Sequence, residues 1–177
     1  MLEPSIRDAG DSDLEPVAEI KVRNWADTYA SLVEPSVLRP YLDRKRQLDA
    51  LRTSVNRPGT LLLVASDESG TVIGFSLTYL DRAPEPWLES LHVLREFRSS
   101  GVGSLLMRAT AARLRTSGYN SLRLGVVAGN AEAARFYERL GGTMIGREPA
   151  AWAEGVWHEL YRWPDLAPLA SDAADSS

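Results

Sequence analysis

Across its 177 residues the sequence contains no cysteine. That excludes disulfides, thiolate nucleophiles, a covalent enzyme intermediate on sulfur, and cysteine-held zinc or iron–sulfur centres. Histidine is almost as scarce: His92 and His158 are the only two. They do not stand at the short spacing that sets two ligands on one helix face, so no catalytic metal is expected. Positive charge is not in excess either, because 24 acids against 20 bases leave a net charge of −4, mixed along the chain. Without a basic stripe, nucleic acid is not an expected partner. No apolar run is long enough to cross a bilayer, and the opening Met1-Leu2-Glu3-Pro4-Ser5 has no basic segment followed by an apolar one. A cytoplasmic protein without membrane association is the expectation.

What is present is an ordinary globular composition, 44% apolar and 25% charged. At this length it can form one full core and not two domains of usual size. A short strand over residues 5–9 is followed by Ser12 and Glu15 in capping-box relation. Leu14, Val17, Ala18, Val22, Trp25 and Tyr29 then recur at helical spacing, with Pro16 tolerated in the first turn. Glu34-Pro35 opens a second predicted helix that runs to the 57–59 break. The period then shortens to that of strands at 60–66 and 72–79, joined by a turn-rich connection. A third strand, 87–93, is predicted to place residues 87, 89, 91 and 93 on one face. A helix over 102–117 ends at Gly118, a strand covers 121–127, a helix covers 131–140, and strands cover 144–147 and 157–163. From Pro164 to residue 177 a disordered tail is predicted, leaving residues 1–163 as the domain. The strand–helix–strand order of the second half requires a right-handed crossover and a parallel pair. Because the earlier hairpin is antiparallel, the sheet is predicted to be mixed.

The segment Arg98-Ser99-Ser100-Gly101-Val102-Gly103 lies between a strand and a helix. Glycines there let backbone N–H groups approach a phosphate, and a helix N-terminus favours an anion by roughly 0.3–1 kcal/mol. Two other phosphate loops do not fit. A Walker loop needs Lys after its last glycine, where Ser104 stands, and the dinucleotide fingerprint needs a third glycine where Leu106 stands.

These residues resemble the GNAT superfamily of acetyltransferases, whose R/Q-x-x-G-x-G/A motif is matched by Arg98, Gly101 and Gly103. The resemblance extends to the strand Leu88-Glu89-Ser90-Leu91-His92-Val93. It also takes in Asn130, Ala133, Phe136, Tyr137, Leu140 and Gly141 in an N-x-x-A-x-x-F-Y-x-x-L-G segment. It is strongest over residues 87–147 and looser toward the N-terminus, where Trp25, Tyr29 and Val72-Ile73-Gly74-Phe75 occur in similar places. Two positions depart from the pattern: Arg95 stands where the family usually has Pro, and Gly142 where it usually has Phe.

The resemblance implies an α/β single domain with a central mixed, mostly antiparallel sheet, splayed parallel strands in its middle and helices on either side. It implies acetyl-CoA as co-substrate and N-acetyl transfer to a primary amine by direct attack in a ternary complex. The backbone of Leu91 and Val93 would take the pantetheine arm. The segment Arg98, Ser99, Ser100, Gly101, Val102, Gly103 and Ser104 would cradle the pyrophosphate, with Asn130 and Arg135 on the next helix nearby. Tyr137 occupies the position the family uses to protonate sulfur, a step typically worth 10²–10⁴-fold. Glu89, read as sharing a strand face with Leu91 and Val93, is the candidate base. How much base is needed depends on the acceptor. Neutralising a lysine amine at pH 7 costs about 4–5 kcal/mol, and an α-amine only about 1.

Each of these residues also has a plainer reading. The glycine segment alone is a strand-to-helix turn, Tyr137 beside Phe136 is core, Asn130 is an N-cap, and Glu89 is a solvated strand residue. Trp25 and Tyr29 fit a core face, and His92 reads as structural. A rival of another class is a non-catalytic module that binds or senses acyl-CoA; another rival is a transferase of longer acyl groups. Asp81, Glu85 and Glu89 hint at a cationic acceptor, whether a small molecule or a peptide amine. A homodimer rests on family analogy alone.

Overall fold

Continuous apolar runs at residues 60–66 and 72–79 bury both faces of a hairpin, β2 (Thr60–Ser66) and β3 (Val72–Tyr79). In this computed structural model, which describes residues 3–174, Leu62 and Val64 turn to one helical layer while Leu63 and Ala65 turn to the other. That is the two-residue period of a strand packed on both sides. Around the hairpin a seven-stranded sheet assembles from β1 (Ser5–Asp8), β4 (Trp87–Val93), β5 (Leu122–Val127), β6 (Thr143–Pro149) and β7 (Trp157–Trp163). Its order is β1-β2-β3-β4-β5-β7-β6, and only β4 and β5 run parallel. The mixed, mostly antiparallel sheet expected from the sequence is therefore the one observed.

Helices α1 (Leu14–Tyr29) and α3 (Arg44–Val55) cover one face, with Val17, Ile20 and Leu51 on Val64, Phe75 and Leu77. On the other face α4 (Val102–Thr116) sets Leu106, Met107, Ala111 and Leu114 against the sheet, all essentially unexposed. Helix α5 (Ala131–Arg139) follows β5.

Four local expectations are corrected. The reach-back at the start of α1 is made by Asp13, not by Ser12 and Glu15: its carboxylate accepts the Gly10 N–H at 2.7 Å and two bonds from Arg7 at 2.7 and 2.9 Å. The second helix is split. A short α2 (Pro35–Leu38) passes into a 3₁₀ turn at Arg39–Leu42, where Pro40 has no N–H to continue the ladder. Extended Asp43 (ψ 113°) then caps α3 by accepting the Arg46 N–H at 2.8 Å. Third, residues 87, 89, 91 and 93 do not share a face. Leu77 pairs with Ser90 and Thr78 with Leu88, so Glu89 is the extra residue of a β-bulge and inverts the alternation on either side of it. Leu88, Leu91 and Val93 pack toward α4, while His92, opposite Phe75, faces α1.

Finally, the chain after Pro164 is not a disordered tail over residues 164–174. It forms α6 (Ala167–Ala174), started by an Asp165 carboxylate that accepts the Ala167 N–H at 2.9 Å. Leu166 and Leu169 are 0% and 3% exposed against Leu114 and Leu122. A segment rich in Ala, Ser and Asp reads as solvent-loving, yet two leucines at helical spacing suffice to dock it. Residues 175–177 lie outside the described residues.

Candidate active site

Strands β4 and β5 pair only at Trp87 with Arg123 and Leu88 with Leu124, and then part. The Leu94 N–H donates to the Ile73 carbonyl at 2.8 Å, so by strand alternation Leu91 and Val93 turn their N–H and C=O groups into the gap. The Val93 carbonyl is already used, accepting from Asn24 Nδ2 at 2.9 Å and Arg98 Nε at 3.2 Å. This narrows the expectation for that residue to its N–H. The Leu91 groups and the Val93 N–H stay open to a ligand, and an extended arm carrying amides satisfies such an edge.

At one end of the gap a 3₁₀ turn, Arg95–Ser100, leads through Gly101 into α4. Gly101 has φ +84°, a left-handed geometry that favours glycine and turns the chain so that the helix start faces the cleft. The first backward helical bond is from the Leu105 N–H to the Gly101 carbonyl at 3.0 Å. The amides of Val102, Gly103 and Ser104 therefore have no helical acceptor. A Cβ on Gly103 would come within 3.2 Å of the Phe136 ring, so glycine is what lets α4 and α5 meet here. Ser99 and Ser100 lie in the preceding turn, where Ser100 Oγ donates to the Phe97 carbonyl at 2.6 Å. The cradle thus has the donors a pyrophosphate needs.

The gap widens into a cleft of about 460 Å³ that the sequence-predicted residues Glu89, Leu91, Val93, Arg98, Gly103, Asn130 and Tyr137 all border. Ser99, Ser100, Gly101, Val102 and Ser104 do not line it, and neither does Arg135, which is exposed on α5; Arg139 from the same helix borders the cleft. Asn130 caps α5 by accepting the Ala133 N–H at 3.3 Å. Tyr137 packs among Phe136, Tyr161 and Trp163 and is 8% exposed. Burial, with a smaller effect of Tyr29, raises its pKa well above the ordinary tyrosine value and keeps the hydroxyl protonated. Glu89 accepts from Trp87 Nε1 at 2.9 Å and lies 3.6 Å from the Arg82 guanidinium. His92 is held neutral by burial, reinforced by the Lys21 and Arg98 charges, with its pKa pushed down to about 3. It borders the cleft rather than filling a purely structural place.

The opposite end is walled by Trp25, Tyr29, Tyr41 and Trp152, with ring centroids 4.9–5.3 Å apart for the pairs made by Trp25. Tyr41 Oη donates to the Trp152 carbonyl. His158 sits over Gly125, where a Cβ would come within 2.6 Å of its ring, and accepts from Trp152 Nε1 at 3.1 Å. Burial shifts Tyr29 up to about 12 and His158 downward.

The Acetyltransferase (GNAT) family pattern matches residues 20–142. Over 167 residues, 92% of this chain and 90% of the relative, the sequence is 31% identical to the L-methionine sulfoximine/L-methionine sulfone acetyltransferase of Pseudomonas paraeruginosa. The chain belongs to the GNAT family. Among solved structures, the fold resembles that of the PaiA N-acetyltransferase of Thermoplasma acidophilum in complex with coenzyme A. The TM-score is 0.71 with 22% identity over 90% of this chain and 98% of that one. A Salmonella typhimurium acetyltransferase with acetyl-CoA gives 0.69, with 20% identity over 93% and 94%. As a GNAT member the protein is an acetyl-CoA-dependent acetyltransferase. Its departure at Gly142 is explained by packing: a Cβ there would meet the Trp163 ring at 2.6 Å, so Trp163 fills the space beside that position.

Sequence reasoning did not single out Lys21, Asn24, Tyr41, Arg46 and Trp152 as bordering this GNAT cleft. Asn24 carried a usable signal, a polar residue four after Ile20 on an apolar helix face. Trp152 carried none, because its loop has no periodicity.

Proposed function

We propose that the protein acetylates the primary amine of a small-molecule acceptor by direct attack within a ternary complex. The observation that carries this reading is the single cleft that runs from the α4 amides, past the open edge of β4, to the aromatic wall. Pyrophosphate would lie on the amides of Val102, Gly103 and Ser104, and the arm along Leu91 and Val93. Bound there, acetyl-CoA supplies an acetyl group activated as a thioester.

The chain's own groups then manage the proton of the amine. Glu89, set on the acceptor side by the bulge, takes the proton of the incoming ammonium, directly or through water. His92, with a pKa of about 3, is unsuited to hold a proton at neutral pH and serves as a neutral hydrogen-bonding wall. The aromatic wall excludes water from the nucleophile's side. The extensive match to the methionine sulfoximine/sulfone enzyme supports a small acceptor.

The test is thiol release from acetyl-CoA with a panel of amines: L-methionine sulfoximine, L-methionine sulfone, a polyamine and a lysine peptide. Turnover with the methionine derivatives is expected. Binding of acetyl-CoA without thiol release for any amine would replace this reading with a non-catalytic acyl-CoA module.

A further inference from the structure

Of the four cations that border the cleft, Arg98 is bonded to the Val93 carbonyl and Arg139 is exposed on α5; the other two, Lys21 and Arg46, stand beside the aromatic wall with no acid at contact distance. Lys21 Nζ lies 5.4 Å from the Trp25 ring centroid, and the Arg46 guanidinium lies 4.9 Å from that of Tyr41. Both side chains border the cleft, Lys21 half-buried and Arg46 exposed at the mouth. Neither forms an ion pair among the described residues, although Lys45 and Arg44, beside Arg46 in sequence, both do. Two acids border the cleft: Glu132, exposed in the first turn of α5, and Glu89. Glu89 faces Arg82 and Trp87, and Glu85 receives Arg162 at 2.7 and 3.2 Å. Asp81 lies against Gly59, outside the cleft. Of the acidic residues that suggested a cationic acceptor, Glu85 and Glu89 are thus compensated and Asp81 lies outside the cleft, whereas Lys21 and Arg46 have no acid at contact distance.

A half-buried ammonium without a counter-ion is costly, and a ligand anion relieves that cost. The faces of Trp25 and Tyr41 are already occupied by the protein's own cations, which leaves this wall unsuited to a cationic ligand group. Burial lowers the Lys21 pKa, with Glu89 acting in the opposite sense; an arriving anion would favour its charged form.

We infer that Lys21 and Arg46 hold a carboxylate of the acceptor, so the substrate class is the free α-amino acid, with its amine aimed at the β4 bulge and its carboxylate on these two cations. This rests on the proposed amine acetylation. It gives specificity a mechanism: an acceptor lacking the carboxylate leaves Lys21 desolvated and unpaired.

The experiment compares each free acid with its carboxamide: L-methionine, L-leucine and L-phenylalanine against L-methioninamide, L-leucinamide and L-phenylalaninamide. Binding to the protein saturated with coenzyme A is read by calorimetry, and kcat/KM by thiol release. The carboxamide amine is the less basic of each pair, so preference for the acid cannot come from amine ionisation. Free acids are expected to bind and react about 10–100-fold better, mainly through KM. Lys21→Met and Arg46→Gln should shrink that ratio toward one, and Lys21→Arg should restore part of it. Retained acetyl-CoA protection in each variant shows that it is folded. Acid-selective binding without turnover upholds the anion site and removes the acetylation reading. Turnover of acids and amides alike, or binding of neither, overturns the anion site, and so does a ratio that survives both substitutions.

Discussion

At the residue scale, two buried titratable groups separate chemistry from stability. Tyr137→Phe removes one oxygen and leaves the packing on Phe136, Tyr161 and Trp163 in place. Its kcat is expected to fall by about 10²–10⁴-fold, with acetyl-CoA protection against thermal unfolding retained. An unchanged kcat would return Tyr137 to the core residue its neighbours suggest. His92 acts on the fold. Its folded pKa of about 3 lies below the ordinary 6.5, so as pH falls through 6.5 the unfolded chain takes up a proton that the native state refuses. Stability should therefore be untouched by His92 above pH 6.5 and fall by about 1.4 kcal/mol per unit below it, until about pH 3. Asp13, whose pKa is lowered chiefly by the Arg7 hydrogen bond, adds a loss of the same sign once its own carboxylate protonates. Urea unfolding across this range is expected to show a shallower slope for His92→Gln than for wild type. Equal slopes would mean that the imidazole is not held neutral.

At the element scale, α6 converts an apparent tail into part of the core. Removing residues 164–177 exposes the pocket that Leu166 and Leu169 fill, at about 1.5–3 kcal/mol for each leucine. The loss, roughly 3–6 kcal/mol, is a large part of the 5–15 kcal/mol that holds a typical domain. Urea unfolding of the truncated chain should show a much lower midpoint or no cooperative transition, whereas an unchanged midpoint would restore the disordered-tail reading. The bulge in β4 shapes one wall of the cleft. One extra residue, Glu89, shifts the register so that His92 faces α1 while Leu91 and Val93 keep their backbone toward the gap. Strict alternation along 87–93 cannot foresee this, because a bulge depends on which partner residues pair across the sheet.

At the scale of the whole molecule, β4 and β5 pair only as far as Leu88 and Leu124, so the acetyl-CoA binding proposed along the parted edge of β4 should couple to global stability. Acetyl-CoA at about 100 times Kd is expected to add about 2.7 kcal/mol and to raise the unfolding midpoint by roughly 5–10 °C. NAD and ATP should not, since neither offers an arm for Leu91 and Val93. A rise with ATP equal to that with acetyl-CoA would reduce the site to a general phosphate cradle.

The order of strands and helices, the mixed sheet, the glycine turn at Gly101 and the family were legible in the sequence, because each is written in local periods and short spacings. Tyr137, Asn130 and Gly103, singled out from one stretch of sequence with Glu89, Leu91, Val93 and Arg98, do border one cleft, which is as much of the candidate site as the sequence placed. The aromatic end was not legible. Lys21, Tyr41, Arg46 and Trp152 come from separate elements, and only the packing of α1, α3 and the loop after β6 against the parted strands brings them to one cleft. The end of the cleft beside α4 could be read because it is built by neighbours in sequence, and the aromatic end was decided by tertiary structure because it is built by neighbours in space.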